Sequence, residues 1–201
     1  MKAASRERRR NEIMDIAVEV LAERGYRGAS MLEIANRASA SKETLYAWFG
    51  DKPGLFEQVI RRNARAVQAA LAPRLENDTT AESVLVAFGQ ALLRLLLGED
   101  AVAINRAAIS EAASDSRLAQ VLASAGREAT LPDFIRFLEG HSRNGTWQID
   151  TPSEAAEDFL GLLIGDSQIR RLLGLLPAPG EAEILARANR AAARFSRLYA
   201  P

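Results

Sequence analysis

The side chains best placed to act on another molecule lie in one short run, Ser41-Lys42-Glu43-Thr44-Leu45-Tyr46-Ala47-Trp48-Phe49. Wound as a helix at 100° per residue, the run turns Leu45, Trp48 and Phe49 inward and aims Glu43 and Ala47 most directly outward. Lys42, Thr44 and Tyr46 fall on the flanks. An ammonium, a hydroxyl and a phenol on either side of an outward carboxylate suit a DNA major groove. The outward groups would meet base edges and the flanking ones phosphates. Lys52, with the N–H groups that open the next helix, offers a further phosphate anchor. An ordinary packed helix pair has the same spacing, so spacing alone leaves both readings open.

Catalytic chemistry has little to work with. His141 is the one histidine, and neither a Gly-x-Ser-x-Gly elbow nor a phosphate-binding glycine loop occurs. Glu111 and Asp115 stand four apart and could meet His141 around a metal, although acids at this spacing usually form a solvated face. With no cysteine there is no thiolate nucleophile, disulfide, cysteine zinc site or thiol redox sensor. We expect no enzyme, no cofactor and no metal.

Charge is distributed unevenly. The 201 residues carry a net charge of zero, yet residues 1–65 hold thirteen Lys and Arg against nine acids, an excess of +4 that the remainder cancels. A basic end on an otherwise acidic chain fits one face meeting phosphate. Arg6, Arg8, Arg9 and Arg10 read as a phosphate-contacting arm or as a solvated helix face. At 48% hydrophobic the chain can bury a sizeable core. No long uninterrupted apolar run or leader pattern marks it for a membrane or export, so a cytoplasmic protein is expected.

These groups need helices to position them, and helix signals run throughout. Ile13, Ile16, Ala17, Val20 and Leu21 form one stripe on a first helix that Gly25 can end. Ser30 and Glu33 have capping-box spacing for a short second helix, and Ser41 can cap a third. Lys52-Pro53 opens a fourth that runs towards Pro73. Thr79-Thr80-Ala81-Glu82 reads as the cap of a fifth helix ending at Gly98, and Ala101–Ala113 makes a sixth. Residues 115–142 then divide or kink at Pro132. Thr151-Pro152-Ser153-Glu154 caps the penultimate helix, and Pro179-Gly180 makes a turn. Ile184, Ala188, Ala191, Phe195 and Leu198 recur as a heptad seam. The expected fold is all-α with about nine or ten helices: a helix-turn-helix domain over 1–52 and a helical domain over 53–201.

Residues 10–60 resemble the DNA-binding domain of the TetR/AcrR family of bacterial regulators, most clearly in Ile34-Ala35 and in Ser41 through Phe56. The stretch from Gly145 through Asp150-Thr151-Pro152 to Leu163 is similar to the C-terminal region of the same family. The resemblance implies a repressor on an operator, released by a small-molecule effector. Tyr46 and Lys52 match phosphate contacts and Thr44 a position at the DNA surface, so the implied DNA-binding set is Ser30, Ser41, Lys42, Glu43, Thr44, Tyr46, Ala47 and Lys52. The family usually has Gly-Val where this chain has Ser39-Ala40, and Ser in a left-handed turn costs about 1 kcal/mol relative to Gly.

An effector pocket in this family lies among the middle helices. That makes Phe88, Leu92, Ile104, Phe134, Phe137 and Trp147 candidate lining and Arg106 or Gln168 candidate anchors, for a small and partly apolar ligand. The same residues would serve equally as core. A homodimer is expected through a four-helix bundle burying Phe159, Leu162, Leu163, Ile184, Ala188, Ala191, Phe195 and Leu198, on a palindromic operator. The alternative is that this seam packs only within its own chain. A helical protein-interaction adaptor without DNA binding would explain the C-terminal helices. It leaves Lys42, Thr44, Tyr46 and Lys52 without a reason for their placement.

Overall fold

The computed structural model of the chain describes residues 2–71 and 80–201, so Pro73 and Thr79, expected at helix ends, lie outside the described residues. The fold is all-α, as expected: α1 (Lys2–Gly28), α2 (Met31–Arg37), α3 (Lys42–Phe49), α4 (Lys52–Ala69), α5 (Ala81–Leu97), α6 (Glu99–Glu111), α7 (Arg117–Leu122), α8 (Glu128–Arg143), α9 (Pro152–Ile164), α10 (Ser167–Leu172) and α11 (Glu181–Leu198). They form two compact units. One runs to Asn63 and adds Glu99–Gly126; the other joins Ala64–Gly98 to Arg127–Pro201. Packing thus divides the chain differently from the functional division expected at residue 52.

In the first unit, the α1 stripe faces the core: Ile13, Ala17, Val20 and Leu21 are at most 2% exposed, and Ile16 is half-buried at its edge. Residues from α2, α3, α4 and α6 share that core, and α1 lies along α6, which supplies Ile104, Ala107 and Ala108. Gly25 breaks α1 at φ 66°, ψ 177°, a conformation that only glycine adopts without strain, and one further turn leads into α2.

The second unit is built round aromatic rings. Phe88 of α5 stacks on Phe134 of α8 at 4.4 Å, Phe134 meets Phe159 of α9 at 5.4 Å, and Phe159 meets Phe195 of α11 edge-on at 5.7 Å. Trp147 closes edge-on over Phe195 at 5.2 Å. Such contacts add to the roughly 1.5–3 kcal/mol that each buried large side chain supplies. Gly89 admits this close packing, because a Cβ there would come within 3.1 Å of Leu163 and 3.4 Å of Ala188. Arg171 is buried and donates to the carbonyls of Leu97 (3.0 Å) and Leu176 (2.9 Å), which caps the end of α5. Tyr199 donates to Asp158 at 2.6 Å; burial, then that hydrogen bond, pushes its phenol up to about 12.

Three local expectations change. Thr80 caps α5 by accepting from the Ser83 N–H at 3.1 Å, one residue later than the Thr79 box implied. The break expected at Pro132 falls at Ala123–Arg127, a single wide π turn, and Pro132 sits inside α8. Thr151 stands at the start of α9 without a side-chain cap; Pro152, whose ring presets φ, opens that helix. Among the described residues no single helix is long and apolar enough to cross a membrane.

Candidate nucleic-acid interface

Two capped helices and the turn between them build the site. The Ser30 hydroxyl accepts from the Glu33 N–H at 3.1 Å, but the reciprocal half of the capping box is missing. The Ser30 N–H instead donates to the Gly28 carbonyl at 2.9 Å, and the Glu33 carboxylate pairs with Arg24 (3.3 Å) and Arg37 (3.8 Å). At the far end of α2 the Ala40 N–H reaches back to the Ala35 carbonyl (2.9 Å) and the Ser39 N–H to that of Asn36 (3.1 Å). This is a Schellman close with Ser39 in its left-handed position, φ 47°. The unusual Ser39-Ala40 pair therefore keeps the turn's geometry while carrying the strain that glycine would avoid.

Ser41 then starts α3, accepting from the Thr44 N–H at 3.1 Å and meeting the Thr44 hydroxyl at 2.9 Å. Leu45 and Phe49 are buried, Thr44 and Trp48 half-buried, and Ser41, Lys42, Glu43, Tyr46 and Ala47 exposed. Lys42 Nζ lies 5.6 Å from the centre of the Tyr46 ring. Arg37 is engaged by Glu23 at 2.7 Å, and Glu43 has no ion-pair partner among the described residues.

The α3–α4 corner is tight. Asp51 accepts from the Gly54 N–H at 2.8 Å, and a Cβ on Gly54 would stand 2.3 Å from the Phe49 carbonyl oxygen. Only glycine lets α4 begin there. Lys52 is half-buried: its Nζ donates to the Tyr26 carbonyl at 2.6 Å and lies 3.8 Å from the centre of the Tyr26 ring. Burial lowers the Lys52 pKa, opposed by the Glu111 carboxylate.

The N-terminal arginines divide: Arg6 and Arg8 are exposed, whereas Arg9 and Arg10 are half-buried and engaged by the protein. Arg9 donates to the Ala38 carbonyl and, at 3.3 Å, to that of Ser39, while pairing with Glu12 at 2.9 Å. Arg10 donates to Gln58 and lies 5.5 Å from the Phe49 ring centre, and Arg6 lies 5.4 Å from that of Trp48. They brace the turn and α3 from behind. Sequence reasoning missed these roles, together with those of Tyr26, Asp51 and Gly54. Only the pairing of Asp51 with Gly54 three residues on, a helix-start pattern, could have signalled one of them.

Elsewhere, the candidate pocket residues belong to two different units. Ile104 is in the core of the first unit and Arg106 is exposed on the same helix. Phe88, Phe134 and Trp147 are core residues of the second unit, with Leu92, Phe137 and Gln168 half-buried. Of the expected dimer seam, Phe159, Leu163, Ile184, Ala188, Ala191 and Phe195 are at most 4% exposed within one chain, so a partner has nothing left to bury there. Leu162 is half-buried and Leu198 61% exposed. Glu111 pairs with Arg27 and Asp115 with Arg117, while His141 packs on Phe137; no metal-holding cluster occurs among the described residues.

Known proteins share this architecture. Residues 13–59 match the family model of bacterial regulatory proteins of the tetR family, and residues 83–201 that of the C-terminal domain of AefR-like transcriptional repressors. The transcriptional activator FasR of Mycolicibacterium smegmatis is 36% identical over 87 residues, 41% of this chain and 40% of FasR. The regulator BetI of Paraburkholderia phytofirmans is 34% identical over 73 residues, 36% of this chain and 37% of BetI. Each match thus spans about two fifths of the relative. Among solved structures, a TetR regulator from Agrobacterium tumefaciens superposes with a TM-score of 0.77 at 32% identity, over 95% of this chain and 94% of that one. The flavonoid-responsive regulator FrrA superposes with 0.71 at 28%, over 97% and 98%.

Proposed function

Because this chain belongs to the TetR family of DNA-binding transcriptional regulators, we propose that it is a cytoplasmic homodimeric repressor that a small molecule releases from a palindromic operator. The observation that carries the reading is α3 itself: a capped helix held by Leu45 and Phe49 with Lys42, Glu43, Tyr46 and Ala47 on its open face. That face enters the major groove, with Glu43 and Ala47 towards base edges and Lys42, Thr44, Tyr46 and Lys52 towards phosphates. Ser30 and Ser41, at the helix starts, lie at the backbone. Residues 1–52 form the DNA-binding part and 53–201 the effector-binding and dimerising part.

Repression is favoured over activation by the AefR-like C-terminal match, although FasR is an activator. Likeness to FrrA over nearly its full length supports an aromatic effector held near Phe88, Leu92, Phe134, Phe137 and Trp147, with Gln168 as a polar partner. Dimerisation then uses charged strips rather than the buried seam, with Arg190, Arg194 and Arg197 exposed and Arg187 half-buried against the Ile164 carbonyl. On α11, Arg187, Arg190, Arg194 and Arg197 share one face, and on neighbouring α9 Glu154, Glu157 and Asp158 share another. A twofold axis sets the acidic strip of one protomer on the basic strip of its partner, with Gly161, which has open space around it, allowing close approach. Site selection from random DNA tests the function: enrichment of one inverted repeat is expected, and no enrichment would remove the operator-binding reading.

A further inference from the structure

Lys52 is half-buried with its ammonium engaged by the protein, although a phosphate ligand must reach outward. Its ammonium sits in a cradle made by one residue, the Tyr26 carbonyl at 2.6 Å and the Tyr26 ring at 3.8 Å. That carbonyl is available because Gly25 breaks α1 just before it and the Ser30 N–H, which an unbroken helix would direct to it, goes to Gly28 instead. The ring is fixed as well: it is buried and meets Phe56 at 5.9 Å. Beside it, the α6–α7 elbow grips the next residue, with Arg27 bound to Glu111 at 3.1 Å and to Ser114 at 3.3 Å. Carbonyl and ring face together satisfy a cation without neutralising it, through a hydrogen bond and a cation–π contact.

We propose that Tyr26 is a latch that competes with DNA phosphate for Lys52. The ammonium rests on Tyr26 in the free protein and leaves it on binding, so the cradle subtracts from affinity for any DNA sequence. This rests on the reading of Lys52 as a phosphate ligand. Tyr26 acts only through Lys52 and is a positioning residue.

A double-mutant cycle on DNA affinity tests it. Tyr26→Leu removes the ring face and should tighten binding to operator and random DNA alike by roughly three- to tenfold, the reach of one cation–π contact. The gain should vanish when Lys52→Ala is also present, and Tyr26→Phe, which keeps ring and carbonyl, should bind as wild type does. If Lys52→Ala has no effect in either background, the phosphate reading itself falls. If Lys52→Ala weakens both backgrounds equally, that reading stands and the latch is overturned. A measurement on the unmutated protein guards against misfolding. Lys2, Lys42 and Lys52 are the only lysines, so labelling lysine Cε yields three methylene signals. The Lys52 signal, assigned with Lys52→Arg, should be shifted upfield by the Tyr26 ring in free protein and return to its ordinary position with DNA. An upfield signal that persists in the complex overturns the latch.

Discussion

The Arg9 guanidinium lies against the Ser39 carbonyl at 3.3 Å, and Ser39 is the one non-glycine with positive φ among the described residues. The first turns of α1 thus brace the turn between α2 and α3. The strain at φ 47° and the arginine that holds it have separable consequences. Ser39→Gly should stabilise the protein by about 1 kcal/mol, because glycine takes the left-handed conformation without a Cβ clash. Denaturant unfolding reads this directly, and operator affinity should not change. Loss of stability would mean that the Ser39 side chain contributes more than its strain costs.

Gly54→Ala should act in the opposite direction. Its Cβ would meet the Phe49 carbonyl oxygen at 2.3 Å, and that oxygen is backbone and cannot swing away. We expect a loss of about 1–3 kcal/mol, the range for forced overpacking, together with weaker DNA binding as α3 is displaced. An alanine variant with wild-type melting and affinity would show that the corner is freer than its geometry indicates.

Phosphate contacts are sequence-blind. Tyr46→Phe should therefore weaken binding to operator and random DNA to the same degree, and Lys52→Ala should also lower the slope of log affinity against log salt by about one. Titrations at several salt concentrations are the measurement. Unchanged affinity in both variants would remove this docking of α3.

Glu43 stands on the open face of α3 with no ion-pair partner among the described residues, and Arg37, which could have offset it, is held by Glu23 at 2.7 Å. A carboxylate among phosphates is repelled, yet in the major groove it can accept from cytosine N4. Glu43→Gln should relax discrimination at one symmetric C·G position by about 1–3 kcal/mol. The competing outcome, slightly tighter binding to every sequence with the same preference, would sink the base-reading role.

The proposed dimerisation can be tested separately from folding. Phe195→Asp puts a charge into a core where the ring is fully buried, so it should unfold the chain rather than yield a folded monomer. Arg190→Glu with Arg194→Glu reverses charge on the open face of α11 and should give folded monomers by sedimentation with reduced operator affinity. Dimers that persist in the double variant would place the interface on another face.

Local chemistry was legible in the residues themselves. Ser30, Ser41 and Pro152 mark helix starts, Gly25 marks a break, and the periodicity of Ile13–Leu21 and Ile184–Phe195 identifies buried faces, because caps, left-handed turns and stripes depend on near neighbours. What covers a buried face depends on contacts far apart in the chain. Periodicity shows that Phe159, Ile184 and Phe195 must be covered but is the same whether the cover is a partner or α5, and only the folded chain decided for α5, α8 and Trp147. Long side chains escape sequence reasoning for the same reason. Lys52 carries its charge on a flexible four-carbon stem, so position in α4 states where the stem begins. Whether the ammonium meets solvent or Tyr26 was set by a carbonyl that a break 27 positions earlier had left open.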